Sequence, residues 1–336
     1  MIQKPTLIVL TPVRNEAWIL HRFLATASLW ADLIIIADQN SSDESVQICS
    51  RFEKVVLIRN ENPNYDEAQR QLLLIKTARE LVPGPRIFFA LDADEILAAN
   101  ALETTGWQKI LKATPGTAIF LEKPDLYVSP ENCIRWRNNP FPIGFVDDGS
   151  AHHPKAIHSI RIPLSENTPR LVLDDVKVLH YALTNPSLQR SKMRYYSVVE
   201  NVERISSSIR RRYAHRWSFQ DEFKPEMEKS ERWWFQGWEE KNIDMRNISS
   251  NEYTWHDFEI LRHFADLGTK RFYWDDIWHV NWEARRQYAL KQGFSGMPAR
   301  PIRQPTQADQ QLRNVCMNAY LLLRHARNLF RSFVKR

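Results

Sequence analysis

The sequence predicts an α/β chain, a mostly parallel sheet between helices followed by a helical, Trp-rich extension. Three observations carry this. Short apolar runs alternate with helix-length segments over the first 120 residues. Acidic residues stand just past three of those runs. Eight of the twelve Trp fall within residues 211–282, with no fixed period between them.

Residues 6–11 are a β-rich run, and 16–29 place apolar residues at helical spacing. Residues 33–36 form a second run, ending at Ala37-Asp38. A helix over 43–52 follows, with Ser41 or Ser42 as its N-cap. Residues 55–58 read as a third strand and 66–81 as a longer helix, closed by Pro83-Gly84-Pro85. The fourth strand, 86–91, runs into Asp92-Ala93-Asp94-Glu95, and 117–121 is a fifth. Short connections between such runs fit βαβ units. Beyond residue 121 Pro and Asn become frequent. Residues 157–162 and 171–179 read as β segments, and 188–209 as a helix without Gly or Pro. The expected organisation is a first domain over 1–205, in two parts, 1–120 and 121–205. A Trp-rich helical subdomain over 206–296, a Pro-containing linker over 297–307 and a basic helix over 308–336 complete it.

Charge separates the same parts. The net charge is +6, from 46 Lys and Arg against 40 Asp and Glu. Residues 281–336 hold eleven cations and two acids, +9, which leaves −3 for residues 1–280. An acidic body argues against a nucleic-acid binder. Cys49, Cys133 and Cys316 are too far apart for a disulfide framework or thiolate cluster and read as reduced thiols in a cytoplasmic setting. The first apolar run is too short for a secretory signal, and none is long enough to span a bilayer.

In open α/β sheets ligands bind beyond the carboxyl ends of the strands. The first strand delivers Pro12, Arg14, Asn15 and Glu16 there, the second Asp38 and Asp43, and the fourth Asp92, Asp94 and Glu95. Two carboxylates in Asp92-x-Asp94, after the buried run Ile87-Phe88-Phe89-Ala90-Leu91, can converge on one hard cation. Such a cation takes oxygen ligands, bridges phosphates and stabilises a departing diphosphate. The alternative is a solvated acidic turn. Neither a G-x-G-x-x-G nor a Walker-type loop follows the first strand. Asp38 is placed to accept a hydrogen bond from a base or ribose, or to cap its own turn.

Taken together, Thr11-Pro12-Val13-Arg14-Asn15-Glu16, Asp38-Gln39-Asn40-Ser41-Ser42-Asp43 and Leu91-Asp92-Ala93-Asp94-Glu95 resemble a family 2 type inverting glycosyltransferase with the GT-A fold. The likeness is nearest to bacterial lipopolysaccharide-core and polysaccharide sugar transferases. It covers residues 5–125, and more loosely extends to 205, where His180-Tyr181, Lys192 and Tyr195-Tyr196 resemble the end of the catalytic domain. The resemblance implies a nucleotide-diphosphate sugar donor and Mn²⁺ or Mg²⁺. It implies that Pro12 and Glu16 flank the nucleotide, that Asp38 contacts the base and that Asp43 lies near base or ribose. By the same likeness Asp92 touches ribose or metal, Asp94 is the metal ligand, and His180 reaches metal or diphosphate. Gln39 departs from the family's second acid. The Glu-Asp pair and the Gln-x-x-Arg-Trp motif of processive synthases are missing, so a non-processive transfer to a glycan or glycolipid hydroxyl is expected.

The catalytic base is sought after the fifth strand, among Glu122, Asp125, Asp147 and Asp148, with Asp148 favoured over Asp147. His152, His153 and His158 read as ordinary acceptor-side or surface histidines. Two other readings stand beside the transferase: a nucleotidyltransferase on a similar sheet, and a non-catalytic carbohydrate-binding or scaffold protein on a degenerate transferase fold. In the last helix Arg324, Arg327, Arg331 and Lys335 recur at spacings of three or four among Leu and Phe. That pattern fits a peripheral helix on an anionic membrane surface, or equally a helix docked on its own domain. Oligomerisation is open.

Overall fold

The computed structural model describes residues 4–60, 66–136, 140–155, 159–215, 226–249 and 253–334. The chain opens with β1 (Thr6–Val13), α1 (Ala17–Ala27), β2 (Leu33–Asp38), α2 (Ser45–Cys49), β3 (Val55–Arg59), α3 (Glu67–Leu81) and β4 (Arg86–Ala90). It continues through β5 (Glu95–Leu97), α4 (Thr105–Leu111), β6 (Ala118–Glu122), β7 (Asp125–Tyr127), β8 (Ser129–Ile134), β9 (Phe141–Asp147) and β10 (Arg170–His180). Then follow α5 (Pro186–Val202), α6 (Ser208–His215), β11 (Glu228–Lys229), α7 (Trp233–Glu239), α8 (Trp255–Leu267), α9 (Trp282–Lys291) and α10 (Gln307–Val334).

These elements form two compact units. The first comprises residues 1–185 and 225–249, the second 186–224 and 250–336. The expected division at 205 and the single Trp-rich subdomain over 206–296 do not follow these units. Trp234 and Trp238 of α7 belong to the core of the first unit, whereas Trp278 and Trp282 belong to that of the second. Trp217 lies outside the described residues.

In the first unit the sheet runs β11-β8-β7-β10-β6-β9-β4-β1-β2-β3, with β5 pairing β10 off this path. The pairs β3–β2–β1–β4 and β6–β10 are parallel, while β9 lies antiparallel between β4 and β6. The central strands read as unbroken apolar runs because both faces are covered. Leu7, Val9, Ile34 and Phe89 pack under α1, α4 and α7. Ile8, Leu10, Ile35 and Phe88 pack under α3 together with Ile162.

Local chemistry moves two expected boundaries. The helix read over 43–52 is only α2, because the loop before it is spent on long-range hydrogen bonds. Ser41 Oγ accepts from the Asn15 amide at 2.9 Å and Ser45 Oγ from the Glu16 amide at 3.0 Å, so neither Ser41 nor Ser42 caps α2. The helix read over 188–209 breaks between α5 and α6, where Arg204 adopts a left-handed backbone with φ 55°. Residues 159–162 of the β segment read over 157–162 carry no strand, and 157 and 158 lie outside the described residues.

In the second unit α8 and α9 surround a core of Phe258, Leu261, Phe264, Phe272, Trp278 and Trp282, joined by Tyr195 and Val198 of α5. The rings of Phe264 and Trp278 stack 5.5 Å apart. Two buried ion pairs close it, Arg194 to Asp257 at 2.8 Å and Arg211 to Asp275 at 2.8 Å.

Candidate active site

Register brings the acidic turns together. β1 pairs Val13 with Asp38 of β2 and Leu10 with Ala90 of β4, so the residues after β1, β2 and β4 share one edge. On the far side of β4 the chain doubles back. β5 pairs antiparallel with β10, setting Glu95 opposite His180, and β7 sets Asp125 beside the same histidine. The Tyr181 amide donates to the Asp94 carbonyl at 2.8 Å, which fixes the turn against the end of β10.

Asp94, Asp125 and His180 are thereby gathered from three segments. His180 Nδ1 lies 2.5 Å from Asp125 Oδ1, and Nε2 lies 3.7 Å from Asp94 Oδ2. Burial disfavours a charged ring, but Asp94 and the hydrogen bond that the ring donates to Asp125 outweigh it and raise the His180 pKa. Asp125 also accepts from the indole N–H of Trp136. Burial would raise the Asp125 pKa, but the hydrogen bond and charge of His180 hold it below the usual range.

The neighbouring cations were not singled out in the sequence. Arg161 Nη1 pairs with Asp92 Oδ1 at 2.9 Å and with Glu95 Oε2 at 2.8 Å, and Lys123 reaches Glu95 Oε1 at 2.9 Å. Glu95 is 1% exposed. Burial opposes its charge, yet Arg161 and Lys123 hold its carboxyl well below the ordinary range. The only sequence signal for Arg161 would have been an isolated arginine beside Ile160 and Ile162.

At the end of β2, Asp38 is buried at 4% exposure, with one oxygen accepting from the Ser41 amide at 3.2 Å. Its Oδ1 has no hydrogen-bond partner among the described residues. The turn-cap and ligand readings therefore apply to different oxygens of one carboxylate. Gln39 accepts from Arg70 Nη1 at 3.0 Å. Asp43 is occupied on both oxygens, by the amides of Ala17 at 3.0 Å and Ser45 at 2.9 Å, so it positions the loop rather than presenting a carboxylate outward. Pro12 pairs in register with Ala37, and Glu16 accepts from the Trp18 indole at 2.8 Å.

Asp147 and Asp148 are not at this edge. β9 runs antiparallel to β4 and pairs Asp147 with Arg86, the first residue of β4. Six residues of extended chain, roughly 20 Å, separate that level from Asp92. Asp147 is held by Arg79 at 2.7 Å and Arg86 at 2.6 Å. Asp148 accepts from the Ser150 amide at 2.9 Å. Of the two residues expected as the base, Asp147 is a buried ion-pair anchor and Asp148 caps a turn. His152 pairs with Gln71 at 2.8 Å, and burial takes its pKa down to about 4. His158 lies outside the described residues. Lys192, Tyr195 and Tyr196 lie on α5, in the second unit.

Among the described residues no three His, Cys, Asp or Glu side chains form a metal cluster. The donors present do fit a cation held by two protein groups, Asp94 and His180 Nε2, with substrate oxygens and water completing the shell. Asp125 on Nδ1 is the outer partner that such a histidine requires.

No protein-family model matches the chain, and no curated protein matches it. Among solved structures it is similar to residues 1–349 of TarS from S. aureus, with 12% identity over 87% of this chain and 81% of that one, at a TM-score of 0.37. It is also similar to glucosyl-3-phosphoglycerate synthase from Mycobacterium tuberculosis, a structure in complex with Mn²⁺, uridine diphosphate and glucosyl-3-phosphoglycerate. That match has 15% identity over 36% of this chain and 44% of the synthase, at a TM-score of 0.25. These are remote likenesses to glycosyltransferases and place the chain in no particular family.

Proposed function

We propose that the chain is a metal-dependent, non-processive inverting glycosyltransferase of the GT-A, family 2 type. It moves a sugar from a nucleotide-diphosphate donor to a hydroxyl of a glycan or glycolipid. The observation that carries this reading is the convergence of Asp94, His180 and Asp125 beside the edge that also bears Asp38.

The unpartnered oxygen of Asp38 is suited to accept from a base N–H or a ribose hydroxyl. Asp94 and His180 Nε2 would hold Mn²⁺ or Mg²⁺, and Asp125 keeps the second ring nitrogen occupied. The bound cation supplies charge neutralisation for the diphosphate. Arg161 and Lys123 hold Asp92 and Glu95, which lowers the repulsion the turn would otherwise offer an anionic donor. The bond from the anomeric carbon to the diphosphate oxygen breaks as the acceptor hydroxyl oxygen bonds from the opposite face and gives its proton to a carboxylate base, inverting that carbon. We place the protein in the cytoplasm, in peripheral contact with a membrane when the acceptor is lipid-linked.

The test is product analysis with UDP-, GDP- and dTDP-sugars and Mn²⁺. A nucleoside diphosphate should be released, and Asp94→Asn and His180→Gln should stop both release and Mn²⁺ binding. Release of pyrophosphate would make the chain a nucleotidyltransferase, and failure to bind any nucleotide would make it a carbohydrate-binding or scaffold protein.

A further inference from the structure

The longest helix of the second unit, α10, is docked along one side only. Arg313, 7% exposed, donates to the Tyr273 carbonyl at 2.9 Å, and the helix also meets α6. At 100° per residue, positions 312, 315, 316, 319, 322, 323 and 326 form a separate stripe. That stripe reads Leu, Val, Cys, Ala, Leu, Leu, Ala. It faces outward: Leu312 is 54% exposed, Val315 65%, Leu322 71% and Leu323 72%. The sequence continues the stripe with Leu329, Phe330, Phe333 and Val334. A row of exposed large aliphatic side chains costs free energy in water and marks an interaction surface.

Charge selects the partner. Residues 310–336 contain six Lys or Arg and no Asp or Glu. Arg327 is exposed and borders the stripe. The threes and fours of the stripe would also suit a helix pair, but a second copy in either direction would set cations against cations with only Asp309, already accepting from Thr306, to answer them. An anionic lipid surface meets both demands: acyl chains take the aliphatic stripe and headgroup phosphates take the arginines. No helix among the described residues is long and apolar enough to cross a membrane, so the contact is one that lies in the interface.

We infer that α10 is a reversible docking surface for an anionic lipid bilayer, with Leu312, Val315, Leu322 and Leu323 inserted and Arg327 on the headgroups. The surface belongs to α10, so its failure would leave the transferase reading in place, and the two are read by different measurements.

The experiment is co-sedimentation of the full chain with vesicles of equal parts phosphatidylglycerol and phosphatidylcholine, and with phosphatidylcholine alone. Binding is expected to the first and not to the second. The double variant Leu322→Gln, Leu323→Gln should weaken it at least about tenfold. Arg327→Gln should weaken it roughly fivefold at low salt. All three positions are exposed, so the variants keep the fold, which circular dichroism checks. Three results would overturn the inference. They are no sedimentation with the anionic vesicles, equal sedimentation with both kinds, and a lipid-free dimer that Leu322→Gln, Leu323→Gln converts to monomer.

Discussion

His180 and Asp125 lie 2.5 Å apart through Nδ1 and Oδ1, and that contact fixes which ring nitrogen faces Asp94. Asp125→Asn removes the charge but keeps an oxygen. It should weaken Mn²⁺ binding about 10–100-fold, the usual effect of losing an outer-shell carboxylate. Paramagnetic resonance titration of Mn²⁺ reads this directly. Unchanged affinity would remove Asp125 from the site.

Asp147 holds two guanidinium groups and has a side-chain exposure of 0%. Asp147→Asn leaves Arg79 and Arg86 poorly matched, and breaking such a buried pair costs about 3–5 kcal/mol. Urea unfolding should show that loss, while the folded fraction keeps normal Mn²⁺ affinity and turnover per active molecule. A stable but inactive variant would return Asp147 to the list of catalytic bases.

The thiols should react unequally. Cys49 and Cys133 are buried, and Cys316 is half-buried on α10. Burial, reinforced by the Asp38 carboxylate, pushes the Cys49 pKa up to about 12, and burial raises Cys133. Since the thiolate is the nucleophile, a disulfide reagent should label one thiol in the folded protein and all three after denaturation. Cys316→Ser should abolish the early reaction. Equal early labelling of Cys49 would contradict the buried environment at the end of α2.

His279 sets a pH dependence in the second unit. Burial, then the Arg194 guanidinium 3.3 Å from Nε2, takes its pKa down to about 4. In the unfolded chain it titrates near its ordinary value of about 6.5. Between those values the unfolded chain binds more protons, so stability is complete above about pH 6.5 and falls toward pH 4. His279→Gln, which keeps an acceptor for Arg194, should flatten part of that fall in the denaturation midpoint. An unchanged slope would show that His279 titrates normally.

The half of the first unit that holds β1 to β4 was legible because its strands are continuous apolar runs with helices between them. The strands expected at 6–11, 33–36, 55–58 and 86–91 correspond to β1 to β4, and the helix expected at 66–81 begins one residue after its cap, Asp66, which accepts from Gln69 at 3.0 Å. The acids of that half stood out for the same reason, since a strand end is a local property. Arg161 and the pairing of Asp125 with His180 were not legible. Residues 125 and 180 are brought together by a parallel contact of β7 with β10, and no short-range pattern encodes that register. The placement of Asp147 was missed because its face and level depend on β9 running opposite to its neighbours. The division of the Trp residues was equally hidden, as aromatic content says that something is packed but not against what.

The return of residues 226–249 to the first unit has a consequence for how the protein is made. Trp238 is 2% exposed beneath the sheet, its indole donates to the Leu97 carbonyl at 2.8 Å, and Tyr181 donates to the Met245 carbonyl at 3.1 Å. On a ribosome the sheet emerges first, yet it stays open on one face until residue 249 has cleared the exit. In that interval a nascent chain ending anywhere from 186 to 225 shows apolar surface to chaperones. A fragment ending at residue 205 would hold that unfinished state permanently.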